Sequence, residues 1–396
     1  MSKIRVSAPG KVILHGEHSV VYDKLAVAAS LGLRTRLEYC EEGAGLRVEF
    51  GDLGLTQCYN FKDVHQLLST QIPLTQPTAY YNLTHPELLD HDKITEIVEK
   101  FVDLNRHEPK QRQALVSFFY LFFAIVGSTD SNLSDGFKLA VRSDLTVGAG
   151  TGSSASFAVA IAAFLLHFVK VKKFKSKNLY KSLDLNVDNL QNFDTTELDL
   201  VSKWAFQSER IIHGTPSGVD NTICTFGGLV SFRKGTRPQK ITLSSKITLI
   251  LIDTNTPRDT KTLVGKVATK RAKYRPIIDA ILDAMDHTTI SALDYFQKME
   301  TSDVSGETYD ALGELADLNQ NLLRCLGVSH PKLDQACEIL ATFGLHCKLT
   351  GAGGGGCAIC VVPPSVKGVE KAITELKLNG FGAVLTDLGG CGVRVD

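Results

Sequence analysis

The stretch Val147-Gly148-Ala149-Gly150-Thr151-Gly152-Ser153-Ser154 constrains this chain more than any other part of it. Glycines at alternate positions accept positive φ angles and let the backbone come close to a ligand. The small, apolar run from Ala155 to Leu166 predicts a helix starting directly behind them. The N–H groups of such a loop, the unpaired N–H groups of the first helical turn and the positive end of the helix dipole together form a cradle for a polyphosphate. No lysine is needed inside the loop. Ser153 and Ser154 fall at the N-cap or in the first turn, where a hydroxyl caps the helix or reaches a metal bound to the phosphates. Glycine-rich turns before helices also serve packing alone, so the glycines by themselves leave both uses open.

Whatever anion binds there is held locally, because the chain as a whole offers no field to attract one. Lys+Arg and Asp+Glu are both 43 in 396 residues, a balance that argues against nucleic acid and against an anionic membrane surface. The length suffices for two domains. Leu115 to Val126 and Phe157 to Leu166 are strongly apolar but shorter than the roughly 20 residues of a spanning helix, so both are expected as buried helices, with no membrane involved. Nine cysteines, an odd number spread along the chain without a secretory leader, favour reduced thiols and a cytoplasmic location. Cys357-Ala358-Ile359-Cys360 has redox-motif spacing, yet it lies in an apolar run that reads as a buried strand; no second pair stands at zinc-ribbon spacing. The five lysines from Lys170 to Lys177 are expected as a solvated helix end.

Taken in order, Ile4 to Ala8 alternates as a strand, Pro9-Gly10 reads as a turn, and Lys11 to Leu14 resumes the extended pattern. Val20-Val21-Tyr22 also reads as strand. Lys11, His15, Glu17 and His18 thus crowd into a short apolar hairpin, either as solvated turn charges or as functional groups. Strands with turns at the glycines are expected from Cys40 to Asp63, irregular structure from Ser69 to Leu88, helices over Lys93 to Leu104 and Arg112 to Val126, and a strand over Phe137 to Ser143. In Glu197 to Asn221 the residues Leu198, Val201, Ala205, Ser208 and Ile212 share a helical face, and His213-Gly214-Thr215-Pro216 ends the helix. Glu209 lies in the last turn, against the dipole, which favours a metal or basic partner over simple exposure. Asp220 is expected in the loop beyond. Strand, helices to Phe343, the glycine run Gly351 to Gly356 and a final strand–helix–strand suggest an α+β sandwich with a mostly antiparallel sheet.

Three motifs stand in this order: Pro9-Gly10-Lys11-Val12-Ile13-Leu14-His15-Gly16-Glu17-His18, Gly148 to Ser154, and Lys348-Leu349-Thr350-Gly351-Ala352-Gly353-Gly354-Gly355-Gly356. Together they resemble the GHMP superfamily of small-molecule kinases. Trp204 to Arg210 and Ile212 to Asn221, with the opening APGKVILHGEH, are similar to the branch that acts on mevalonate. The resemblance runs over nearly the whole chain. It implies a two-domain fold, an N-terminal domain over residues 1–229 with mixed sheet and helices and a C-terminal α/β sandwich over 230–396, with the active site in the cleft between them.

The same resemblance implies ATP-dependent phosphorylation of the primary hydroxyl of mevalonate. Lys11, Ser143, Gly148, Ala149, Gly150, Thr151, Gly152, Ser153 and Ser154 would hold ATP, the last six of them and Gly148 as the phosphate loop. Ser154 and Glu209 would bind Mg2+, and Asp220 beside Lys11 would meet the acceptor hydroxyl. Glu17, His18, Asp220 and Thr260 would bind the substrate, with Arg258 to Thr260 closing over it. A cytoplasmic homodimer and inhibition by prenyl diphosphates at the ATP site are implied as well. Thr146 and Val147 stand where the family usually has prolines, and Thr151 where leucine is common, so a less restrained loop is expected. Another kinase of the superfamily, acting on galactose or phosphomevalonate, and an inactive binding protein are the alternatives; retention of Lys11, Ser154, Glu209 and Asp220 together counts against the latter.

Overall fold

The computed structural model describes residues 3–43, 45–70, 83–127, 136–175, 192–214, 216–236, 238–243, 246–301 and 306–396. Most of the stretch expected to be irregular over 69–88 lies outside them, as do Thr215 and Lys177.

Two long antiparallel strands, β1 (Lys3–His15) and β2 (Ala26–Glu41), carry the rest of the sheet. β1 runs straight through Pro9-Gly10, where a turn was expected; the register slips there instead, giving a bulge. The reason is a close approach. A Cβ at Gly10 would stand 2.5 Å from Leu145 Cδ2 and 2.8 Å from the Thr151 carbonyl, and Lys11 donates its N–H to that carbonyl (2.8 Å). Val20 to Tyr22, expected as strand, belong to a short 3-10 turn, Ser19–Tyr22, flanked by His18 (φ 60°) and Asp23 (φ 62°). The β-branched preference yields to a chain reversal.

β3 (Gly45–Phe50) and β4 (Leu55–Asn60) form a hairpin, and β5 (Phe137–Ser143) lies between β3 and β2, parallel to the first and antiparallel to the second. Helices α1 (Phe61–Thr70), α2 (His91–Val102), α3 (Pro109–Gly127), α4 (Ser153–Lys175) and α5 (Thr195–His213) complete this half. Leu115 to Val126 of α3 are all buried, in a cluster of phenylalanines that edge-stack on one another. Residues Ser153–Val171 are long and apolar enough to cross a membrane by length and composition, but most of that stretch is buried inside the protein. Lys170 corrects the expectation of a solvated helix end: it is buried, with Nζ 2.6 Å from the carboxylate of Glu197. Glu197 is fixed there by its second task, a reciprocal capping box with Asp194. On α5 the buried face is Val201, Trp204, Ala205 and Ser208, the Trp204 indole donating to the Leu83 carbonyl. Asp220 is not in a loop. It sits in the first turn of α6 (Val219–Phe226), where a carboxylate suits the dipole.

The second half contains β6 (Leu229–Phe232), β7 (Gln239–Ile241), β8 (Ile247–Asp253), α7 (Thr260–Lys273), α8 (Arg275–Thr301), α9 (Gly306–Leu326), α10 (Pro331–Ala341), β9 (Lys348–Leu349), β10 (Cys357–Val362), α11 (Val369–Leu378), β11 (Gly382–Leu388) and β12 (Arg394–Val395). Twelve strands among the described residues make one sheet, ordered β4-β3-β5-β2-β11-β8-β10-β9, with β1 and β6 branching from β2. The β3–β5 pair is parallel and the other pairings are antiparallel. Cys357 and Cys360 lie buried on β10, each thiol pushed up to about 12 chiefly by burial, as the strand reading of that motif expects. β11 joins β2 at one register pair, Leu388 with Leu31, while β6 runs beside β2 from Ala26 to Ala29. The chain then returns to its beginning: β12 pairs with β1 at Val6, and the buried Arg34 guanidinium donates to the carbonyls of Ser7, Cys391 and Gly392.

Candidate active site

Gly148 (φ 86°), Gly150 (φ 88°) and Gly152 (φ 72°) all take the left-handed backbone that the spacing anticipates. A Cβ would also have no room, standing 1.5 Å from Arg258 Nη2 at Gly150 and 2.8 Å from Lys11 Cγ at Gly152. The loop therefore wraps two cations. It ends in α4, whose first residues are Ser153 and Ser154. Although Thr146 and Val147 replace prolines, the loop is tied down by other means: Lys110 Nζ donates to the Val147 carbonyl (3.2 Å), and Thr151 is buried with its carbonyl on Lys11 N–H.

Ser154 Oγ donates to Glu209 Oε2 at 3.3 Å. Glu209 is buried near the C-terminal end of α5, and its other oxygen has no hydrogen-bond partner among the described residues. Burial first and the nearby Asp220 second push its carboxyl up to about 7. Among the described residues the nearest basic side chain to it is His213, with Nε2 3.8 Å from Oε2, and burial lowers the pKa of that ring. No group of three or more His, Cys, Asp or Glu side chains among the described residues is arranged to hold a metal alone. A hydroxyl plus one carboxylate, completed by phosphate oxygens and water, does fit the hard-oxygen preference of Mg2+. Lys11, buried at the bulge of β1, reaches Asp220 with Nζ 3.0 Å from Oδ1. The solvated-charge alternative for the first motif fails, since Lys11, His15, Glu17 and His18 are all buried.

Arg258 lies between the glycine loop and the third motif: Nη1 donates to the Thr350 carbonyl (3.3 Å), and Cβ atoms at Gly351 or Gly356 would strike its side chain. Burial holds its guanidinium below the usual range, and no carboxylate pairs with it among the described residues. His18 Nε2 donates to the Ala352 carbonyl (2.8 Å), and burial lowers the pKa of its ring, which keeps it neutral. Glu17, its neighbour in sequence, is enclosed elsewhere; its carboxylate meets Lys348 and Asn319 and has no exposed atom. Thr260 is exposed at the start of α7. Ser143 bonds Thr35 Oγ1 (2.9 Å) and lines a cavity of about 220 Å³ with Asp52, Lys110, Gly148, Ser154 and Phe157. That cavity adjoins the glycine loop, so a group attached to loop-bound phosphates has somewhere to go. Lys110 and Asn319 carried no local signal in the sequence, because each acts on a residue remote in the chain. Lys348 was visible only as the first residue of the third motif.

Comparison with known proteins gives the family and the fold. The model of the GHMP kinases N terminal domain matches residues 118–228, and that of the GHMP kinases C terminal matches residues 296–384. Similar curated proteins include the mevalonate kinase of Mus musculus, 37% identical over 98% of this chain and 94% of that one. That of Homo sapiens is 35% identical over the same shares. Among solved structures, a mevalonate kinase superposes with a TM-score of 0.67 at 22% identity, covering 98% of this chain and 99% of that one. The L. major mevalonate kinase in complex with R-mevalonate gives 0.63 at 23%, over 99% and 97%. At such identities these two speak for the fold.

Proposed function

Because the chain belongs to the mevalonate kinase family of the GHMP kinases, we propose that it phosphorylates the primary hydroxyl of mevalonate at the expense of ATP, giving 5-phosphomevalonate and ADP, an early step towards isoprenoids and sterols. The observation that carries the reading is the convergence of two pairs, Lys11 with Asp220 and Ser154 with Glu209, on one glycine loop. Phosphoryl transfer asks a protein for positioning and for neutralisation of charge, and these residues divide that work.

The N–H groups of Gly148 to Ser154 bind the nucleotide phosphates. Ser154 and Glu209 would hold Mg2+, which when bound would supply neutralisation of phosphate charge. Asp220 accepts the hydrogen bond of the acceptor hydroxyl and takes its proton as the new P–O bond forms and the bond to the leaving ADP breaks. Lys11 keeps Asp220 in place and offsets negative charge beside it. Arg258 supplies positive charge where the two glycine motifs meet. His18 is the neutral group of the first motif at the cleft, and Thr260 lies at its rim. Cavity-lining Ser143 belongs to the nucleotide side. Glu17 supports the site from behind, not at the substrate. A division into units over 1–229 and 230–396, a cytoplasmic homodimer, and competition by prenyl diphosphates at the phosphate loop belong to the same reading.

The test is a coupled ADP-release assay with MgATP and mevalonate, phosphomevalonate, homoserine or galactose offered separately. Turnover confined to mevalonate is the expected result. Phosphorylation of galactose or phosphomevalonate instead moves the chain to another branch of the superfamily. Nucleotide binding with no turnover on any acceptor refutes the reading and leaves a binding protein.

A further inference from the structure

Glu17 and Lys348 form an ion pair that the transfer chemistry does not use. Both side chains are almost wholly buried, and the pair joins the end of the first motif to the start of the third. Among the described residues neither charge has a second ion-pair partner. Glu17 Oε2 takes a single hydrogen bond, from Asn319 Nδ2 (2.9 Å), and Lys348 Nζ makes its second bond to the Leu349 carbonyl (2.8 Å). His15, on the same strand end, is kept neutral by burial and then by Lys348, so it offers no countercharge. Gln320 is occupied by Leu349 N–H and Ser329.

The pair is one of three fastenings between the same two segments. Thr350 Oγ1 donates to the Ile13 carbonyl (2.8 Å) and accepts from Ile13 N–H (3.1 Å), and His18 holds the Ala352 carbonyl. Lys348, Thr350 and Ala352 are thus each tied to residues 13–18, and the Thr350 carbonyl in turn receives Arg258. This short run connects Lys348 to both His18 and Arg258.

Buried ion pairs seldom stabilise a fold more than an apolar pair of the same volume, so stability alone is a weak reason for placing two charges here. We propose that the Glu17–Lys348 pair is a positioning device, with Lys348 a positioning residue: it sets the register between the first and third motifs and so places His18 and Arg258 for transfer. The proposal rests on the kinase reading above, and the wild-type assay on mevalonate judges that reading separately from the variants.

The experiment compares Lys348→Met, Glu17→Gln, the double variant and Lys348→Arg in the full chain, reading kcat on mevalonate, the affinity for a fluorescent ADP analogue and the melting temperature. Each single neutral variant should lose about 100-fold in kcat, the cost of a displacement near 1 Å. Affinity for the nucleotide should stay within about threefold, because the loop over 148–152 is not touched. The double variant carries no unpaired charge and should regain melting temperature without regaining kcat. Lys348→Arg keeps the charge in a different shape and should fold with reduced kcat. A double variant that recovers both melting temperature and kcat to near wild-type overturns the proposal and leaves a pair that only stabilises. So does a folded Lys348→Met or Lys348→Arg protein with unchanged kcat.

Discussion

Removing the charge of Glu209 should stabilise the metal-free protein, and by an amount that grows with pH. Its carboxyl is moved from 4.5 to about 7 by burial and by Asp220. Below pH 4.5 the group is protonated whether the chain is folded or not, and it has no effect on stability. Between 4.5 and 7 the folded protein retains a proton that the unfolded chain has released, so stability falls as pH rises; above 7 the full cost is in place. At about 1.4 kcal/mol per pH unit the cost is a little over about 3 kcal/mol at pH 8, against about 1 kcal/mol at pH 5. The carboxylate is buried, so solvent screening does little to reduce this. Glu209→Gln carries no such cost, and its stability advantage over wild-type should widen by about 2 kcal/mol from pH 5 to pH 8.

The assay is urea unfolding in the presence of a chelator, followed through Trp204. This single tryptophan is wholly buried on the same helix as Glu209, so its fluorescence reports the surroundings of the carboxylate. Asp220→Asn, which removes the neighbouring charge, should narrow the pH-dependent gap in an otherwise wild-type background. A gap between Glu209→Gln and wild-type that is the same at both pH values would refute the reasoning, because it would mean that Glu209 titrates normally. With MgATP present the order should reverse if Glu209 is the metal ligand proposed above, since Glu209→Gln removes that carboxylate.

Three further outcomes follow from the geometry. Asp220→Asn should lower kcat by about a thousandfold or more while nucleotide affinity is kept, as measured by steady-state kinetics and equilibrium binding; a near-normal rate removes Asp220 from the mechanism. Gly150→Ala adds about 1 kcal/mol of left-handed strain and drives its Cβ into Arg258, so kcat should fall more than tenfold, and an unchanged rate would show that Arg258 has no part in transfer. At pH 8 a thiol reagent should label the exposed Cys58, Cys325 and Cys391 quickly and leave Cys357 and Cys360 until the protein unfolds; rapid labelling of the last two would contradict their burial.

What the sequence made legible follows the range of the forces involved. The strand Phe137–Ser143 and the glycine loop with its helix were readable because alternation, positive φ and apolar periodicity are local properties. Pro9-Gly10 misled for the same reason: as a dipeptide it signals a turn, but Leu145 and Thr151 pack against Gly10 and the strand continues past it. Lys170 misled because its partner, Glu197, belongs to the next helix, and no window along the chain contains both. In the candidate site the motifs singled out Lys11, Asp220, Ser154 and Glu209, which the fold brings together, but not how they meet. Glu17 and His18 are adjacent in sequence and face opposite tasks, one turned to Lys348 and the other to Ala352. Only the fold separates them.

The clamp on Arg34 orders events in time as well as in space. Two of the carbonyls that receive its buried guanidinium belong to Cys391 and Gly392, separated from it by 357 and 358 positions, and β12 closes against β1 beside them. A ribosome makes Arg34 long before it makes those partners. Throughout that interval the β1–β2 pair holds a cation that it cannot yet enclose, so its final packing awaits residues made more than 350 positions later. A nascent chain stalled before Cys391 should therefore remain open around Arg34.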